Sequence, residues 1–196
     1  FISSACELPD FDPMIELARG HEGVRVAIAI HPNDAALHAG CADPSPDGLT
    51  PKVRDYHVPL DEALAAVEAR LSDPMVVAVG ESGLDYFRTA DPGREAQKES
   101  FRAHIAMAQR SGLPLQIHDR DAHEDTLAIL DEHADADQRI VFHCYSGDAE
   151  MAQHLAQRGW YASFAGPITY PANSDLRAAL AVLPRELVLV ETDAPY

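Results

Sequence analysis

Lysine is nearly absent. Lys52 and Lys98 are the only two in 196 residues, and 15 basic side chains face 32 acidic ones, for a formal net charge of −17. A chain this acidic offers no basic stripe for long-range capture of nucleic acid. Any phosphate it binds must be held locally, by a few arginines, helix N-termini or bound cations. Cysteine is scarce and odd in number. Cys6, Cys41 and Cys144 make no C-x-x-C spacing, which argues against a disulfide framework and a thiolate zinc site. Long apolar runs are missing too: stretches such as Val24 to Ile30 and Met75 to Val79 fall far short of the roughly 18 residues a membrane helix needs. No basic stretch leading into an apolar run opens the chain, so a reducing cytoplasm is the expected location. Neither G-x-G-x-x-G nor G-x-x-x-x-G-K-[ST] occurs, and a nucleotide-binding open sheet loses its usual signature.

What is present is 46% hydrophobic residues in a length that fits one compact domain over residues 1–196. Short apolar runs recur with little alternation: Val24 to Ile30, Val76 to Val79, Leu115 to Ile117, Ile140 to Phe142, Trp160 to Ala165 and Leu187 to Val190. Such runs predict strands covered on both faces, as in a parallel sheet. Between them the apolar period is helical. Leu60, Leu64, Val67 and Leu71 form one stripe, and Phe101, Ile105 and Ala108 another. Shorter stripes run through Leu127 and Leu130, Met151 and Leu155, and Leu176, Leu180 and Leu183. Asp12-Pro13 has the form of a helix cap followed by proline at the first helical position. Residues 39–55, rich in Pro, Gly, Asp and Ser, read as a long surface loop. Strand and helix alternate, leaving an open doubly wound sheet or an α/β barrel of the (β/α)₈ type.

Five of the apolar runs end in a residue able to bind a metal: His31, Glu81, His118, His143 and Asp193. Alone, each has a bland use as a hydrogen-bonded structural histidine or a helix cap. Independent structural uses would scatter along the strands, whereas these recur at one end, the end where barrel active sites are built. Imidazoles and carboxylates without thiolate suit Zn²⁺, Mn²⁺, Co²⁺ or Fe²⁺, and tolerate Mg²⁺ with water in the shell.

Four phrases, Gly80-Glu81-Ser82-Gly83-Leu84-Asp85-Tyr86, His118-Asp119-Arg120-Asp121-Ala122, His143-Cys144-Tyr145-Ser146-Gly147 and Glu191-Thr192-Asp193-Ala194-Pro195-Tyr196, carry a closer likeness. Together with Ile30-His31-Pro32 and the segment Ser163 to Thr169, they resemble the TatD-related deoxyribonucleases, metal-dependent (β/α)₈ hydrolases. The resemblance implies two divalent cations, Mg²⁺ first and Zn²⁺ or Mn²⁺ as alternatives. Glu81 would bridge them, His118 and His143 would hold one, and Asp193 would hold the other and position or deprotonate the attacking water. It further implies a cytoplasmic, monomeric enzyme with no membrane partner that removes nucleotides from DNA ends or single strands, as a 3′ to 5′ exonuclease. Arg120, Ser146 and His31 are the candidate substrate contacts.

The family begins with a His-x-His strand that completes the Asp193-side metal, and no His-x-His occurs here. Relatives also continue past the position of Tyr196. The expectation is an incomplete barrel, lacking the first strand and the last helix, with impaired metal binding and nuclease activity on its own. Two other readings stand beside the nuclease: a hydrolase of the same architecture acting on a small amide, ester or phosphate, and a catalytically degenerate barrel. Asp85 is expected to cap the turn that follows it. Cys144 is expected to face the outer helices, and His21, His38, His57, His104, His123, His133 and His154 to face solvent.

Overall fold

The fold is that of a computed structural model and is described for residues 1–194; Pro195 and Tyr196, the end of the last motif phrase, lie outside the described residues. The chain forms two compact units, 1–138 and 139–196.

The first unit alternates β1 (Ile2–Ala5), α1 (Phe11–Gly20), β2 (Arg25–Ile28), α2 (Pro32–His38), α3 (Leu60–Glu68), β3 (Val76–Asp85), α4 (Asp91–Ser111), β4 (Leu115–Arg120) and α5 (His123–His133). Its four strands pair in chain order, every pair parallel. The predicted apolar runs supply the core. Val26, Ala27 and Ile28 of β2, Leu115 and Ile117 of β4, and Phe101 and Ala108 of α4 are completely buried. Each large apolar side chain removed from water contributes roughly 1.5–3 kcal/mol. Helix α4 begins at Asp91-Pro92 and ends on Gly112, whose φ of 67° closes the last turn in the left-handed region that glycine enters without a Cβ penalty.

The second unit consists of β5 (Ile140–Phe142), α6 (Ala149–Arg158), β6 (Tyr161–Phe164), α7 (Ser174–Val182) and β7 (Val188–Val190), its strands again parallel in the order β5-β6-β7. Asp148 caps α6 by accepting the Met151 N–H at 2.9 Å. Trp160 and Phe142 pack together in the interior, ring centroids 6.3 Å apart.

Several expectations are corrected by the fold. Ile2–Ala5 is a strand that no apolar run announced. Helix α1 starts at Phe11, so Asp12 lies inside its first turn and pairs with Arg70. The chain enters α1 from a short 3₁₀ turn, Leu8–Asp10, which moves the cap position back to Asp10. His38 and His104 are buried, and the His57 side chain is only 1% exposed. Residues 39–59 carry neither helix nor strand, as the composition of the loop predicts.

Candidate metal centre

In the first unit the site is built on a flaw in the sheet. Val79 pairs with Leu115 and Ser82 with Ile117, so β3 advances three residues while β4 advances two. The extra residue is a bulge, a device that re-aims a side chain. Two glycines permit it. A Cβ on Gly80 would stand 2.3 Å from Cβ of Gln116, and one on Gly83, whose φ is 144°, would stand 2.0 Å from the carbonyl oxygen of His118. Between them lies Glu81.

Glu81, His118 and His31 each present a donor atom, and the three atoms lie within 4.8 Å of one another. His118 Nδ1 is 3.9 Å from the Glu81 carboxylate. The opposite nitrogen, Nε2, donates to Asp85 Oδ2 at 3.1 Å. Asp85 is itself fixed by the Arg88 N–H at 2.8 Å and by Asn33 Nδ2 at 3.2 Å. The turn cap expected of Asp85 is therefore real, and its second oxygen orients His118. A ligating histidine whose other N–H is held by a carboxylate is the usual support of a metal site.

The electrostatics favour a cation here. Burial alone would lower the pKa of His118, but Asp85 and Glu81 outweigh it and raise it to about 9. For Asp85, burial pushes upward, while His118 and the Arg88 N–H prevail and hold the carboxyl below its ordinary value. A cleft that stabilises a proton so strongly stabilises other positive charge by the same field. Cys6 accepts the Glu81 N–H at 3.5 Å, yet burial first and the Glu81 charge second raise its pKa well above normal. It remains a thiol, and the donors are imidazole and carboxylate, as the sequence indicates.

His31 is closer to this cluster than sequence reasoning placed it. Its Nδ1 accepts the Asn33 N–H at 3.2 Å and thereby caps α2, so the neutral ring carries its proton on Nε2. Its Nε2 lies 3.3 Å from His118 Nδ1. Proximity makes His31 a third donor atom beside Glu81 and His118.

The second unit holds His143 in a parallel arrangement. Its Nδ1 lies 3.1 Å from Glu191 Oε1, and its Nε2 lies 3.6 Å from Asp193 Oδ1. Glu191 also accepts the Cys144 N–H at 2.7 Å. Burial would raise the Glu191 pKa, but His143 and the Cys144 N–H lower it, so it stays ionised. Cys144 and Asp193 both turn in the left-handed region, with φ of 41° and 53°. Ser146 is exposed, two residues before the Asp148 carboxylate that caps α6; an anion at that helix end would meet a charge of its own sign. Arg120 is exposed at the end of β4, and its guanidinium lies 3.9 Å from the centroid of the Phe87 ring.

The structure thus brings together Glu81 with His118 and His31, and separately His143 with Asp193. Sequence reasoning missed Glu191, Asn33 and the orienting role of Asp85. A carboxylate four residues after Glu81 or two before Asp193 was the available signal.

The family model described as TatD related DNase matches residues 1–196. The chain is 37% identical over 180 residues to a Mycobacterium tuberculosis protein named uncharacterized metal-dependent hydrolase TatD, covering 88% of this chain and 59% of that protein. It is 32% identical over 190 residues to the 3′-5′ ssDNA/RNA exonuclease TatD of Cronobacter turicensis, covering 96% of this chain and 64% of that one. The crystal structure of YJJV, a TatD homolog from Escherichia coli, superimposes with a TM-score of 0.79 at 30% identity, over 99% of this chain and 67% of that chain. The chain therefore spans about three-fifths of the length of these curated relatives, and the α/β barrel class read from its strand and helix alternation stands. With the family model matched along its whole length, the chain belongs to the TatD related DNase family.

Proposed function

We propose that this chain carries the metal centre of a hydrolase that cleaves phosphodiester bonds of DNA, working from 3′ ends of single strands. One observation carries the reading: His118 and His143 each tie one ring nitrogen to a shielded carboxylate and turn the other toward a second carboxylate. An imidazole oriented by one carboxylate, with its other nitrogen turned to a second, is the arrangement a metal ligand uses. The relative named 3′-5′ ssDNA/RNA exonuclease supports the choice of substrate.

Glu81, His118, His143 and Asp193 are the proposed ligands of two divalent cations, with Mg²⁺ first and Mn²⁺ or Zn²⁺ as alternatives. Bound cations would polarise the phosphoryl oxygens and lower the pKa of a water molecule. Asp85 and Glu191 hold the two imidazoles in the required tautomers. Asp193, with a side chain 36% exposed, is the proposed acceptor for the proton of the attacking water. Arg120, His31 and Ser146 are the proposed substrate contacts; the first two offer N–H groups suited to phosphate oxygens, and Ser146, beside the Asp148 carboxylate, offers its hydroxyl to an uncharged part of the substrate. We read residues 1–196 as part of one hydrolase domain of a monomeric cytoplasmic protein. No helix among the described residues is long and apolar enough to cross a membrane.

The test is release of nucleotides from a 3′-labelled single strand by the protein that carries this chain, with Mg²⁺ or Mn²⁺ present. Release is expected to stop with chelator and in Glu81→Gln. Undiminished cleavage in either condition would overturn the ligand assignment.

A further inference from the structure

We propose that Phe87 and Arg120 form a station for one unpaired nucleotide, with its base on the stacked planes and its phosphate on the guanidinium edge. The proposal deepens the nucleic-acid reading above and rests on it.

Arg120 stands two residues beyond His118 on β4, which places both side chains on the same face of the strand. It is registered against Asp85, and the Tyr86 N–H donates to its carbonyl at 2.9 Å. Phe87 follows directly. The Arg120 guanidinium carbon lies 3.9 Å from the Phe87 centroid, and that of Arg88 lies 5.3 Å from it. The pair therefore sits at the exit of the two strands that carry Glu81, Asp85 and His118.

Among the described residues, Arg120 carries its charge without a carboxylate partner. Arg19, Arg70, Arg88, Arg94 and Arg110 all pair with carboxylates. Arg120 is exposed and makes no ion pair among the described residues, although Asp119 and Asp121 flank it in sequence. Asp119 is engaged elsewhere, by His123 at 2.6 Å and by Thr126 at 3.2 Å. An aromatic ring takes the place of a carboxylate. A ring holds a guanidinium in place without discharging it, and leaves its N–H edge for phosphate oxygens. In a protein of net charge −17, an unneutralised cation beside the ligand cluster is the local attraction that an anionic polymer needs.

The flat surface adds selectivity. Unpaired bases stack on aromatic rings and on guanidinium planes, whereas a paired base presents only its edge. The station is thus a filter for single strands.

The experiment is fluorescence anisotropy with the protein that carries this chain, in chelator, using a labelled oligothymidylate, an abasic oligomer of equal length and a blunt duplex. The wild type is expected to bind the oligothymidylate about tenfold tighter than the abasic strand and the duplex, the range of one stacked base. Phe87→Leu, and Arg120→Lys, which keeps the charge but removes the plane, should each abolish that preference while leaving thermal unfolding unchanged. Inorganic phosphate at millimolar concentration should weaken binding to all three probes without erasing the preference. Equal affinity for the base-bearing and abasic strands in the wild type would overturn the proposal, as would a preference that survives Phe87→Leu. If the preference exists and is lost in the variants, yet the protein never cleaves DNA with metal present, the station stands and the nuclease reading falls. If the protein cleaves DNA but shows no preference, the station falls and the nuclease reading stands.

Discussion

The cluster around His118 and the cluster around His143 follow one chemical plan with unequal support. In the first, the orienting carboxylate, Asp85, is a core residue with a side chain 2% exposed, braced by Asn33 and the Arg88 N–H. Its own N–H is received by Gln97 of α4 at 2.9 Å. In the second, the Glu191 side chain is 19% exposed and shares its charge among His143, the buried Ser163 hydroxyl and the Cys144 N–H. A ligand orientation can therefore be fixed by a buried network rooted in a helix, or by a part-exposed carboxylate held by a strand hydroxyl and a backbone amide. The first kind is preorganised at the cost of tolerance to change. The second is more open to solvent.

The sharpest way to expose that intolerance is Gly83→Ala. A methyl group 2.0 Å from the His118 carbonyl cannot be accommodated by side-chain rotation, and φ of 144° adds backbone strain. The expected loss is about 3 kcal/mol or more in urea denaturation. A loss below about 1 kcal/mol would mean that the bulge is softer than the contact implies.

Acid should find the same unit. His104 of α4 is fully buried; its Nδ1 lies 2.7 Å from the Ser100 carbonyl and its Nε2 accepts the Ile30 N–H at 3.1 Å, one residue before His31. Burial is the main cause of its low pKa, about 4, with the Ser100 contact opposing. The unfolded chain, with a histidine near 6.5, binds the proton more readily, so stability is complete above about pH 6.5 and is lost as pH falls toward 4. The contribution is about 3 kcal/mol across that window. A His104→Gln variant, which keeps an acceptor for Ile30, should flatten the acid limb of a stability profile; an unchanged limb would put the proton elsewhere.

A direct contrast of the two supports comes next. Asp85→Ala should weaken Mn²⁺ binding, measured by calorimetric titration, by about 10–100-fold, and Glu191→Ala by about tenfold. Equal losses would erase the distinction between the two clusters.

The distinction was not visible in the sequence, although much else was. Strands β2 to β6 announced themselves as apolar runs because they are largely covered; β7 was announced in the same way, yet Leu189 and Val190 are exposed, so its run does not mark a strand covered on both faces. Strand β1 did not: Ile2-Ser3-Ser4-Ala5 is extended because β2 pairs with it, a tertiary cause that leaves no local mark. Reading β3 stopped at Val79 because the following glycines look like breakers, yet the strand continues to Asp85 through the bulge they permit. The ligand candidates were legible as polar residues recurring at strand ends. Their orienting partners were not, since the contact of Asn33 with Asp85 or of Glu191 with His143 spans distant stretches of chain. His104 falls on the stripe of Phe101, Ile105 and Ala108, three residues after the first and four before the last, a signal of burial that the sequence did carry; His57, in the loop, sits on no apolar period, so nothing in the pattern distinguished it from a solvated imidazole.

Cys144 takes an unfavourable backbone conformation for a residue with a Cβ, and the group that matters to Glu191 is its amide. Glycine at this position would keep that amide and relieve about 1 kcal/mol of strain. Selection for heat resistance alone would drift the position toward glycine. Retention of cysteine through such a selection would measure a benefit conferred by the sulfur itself.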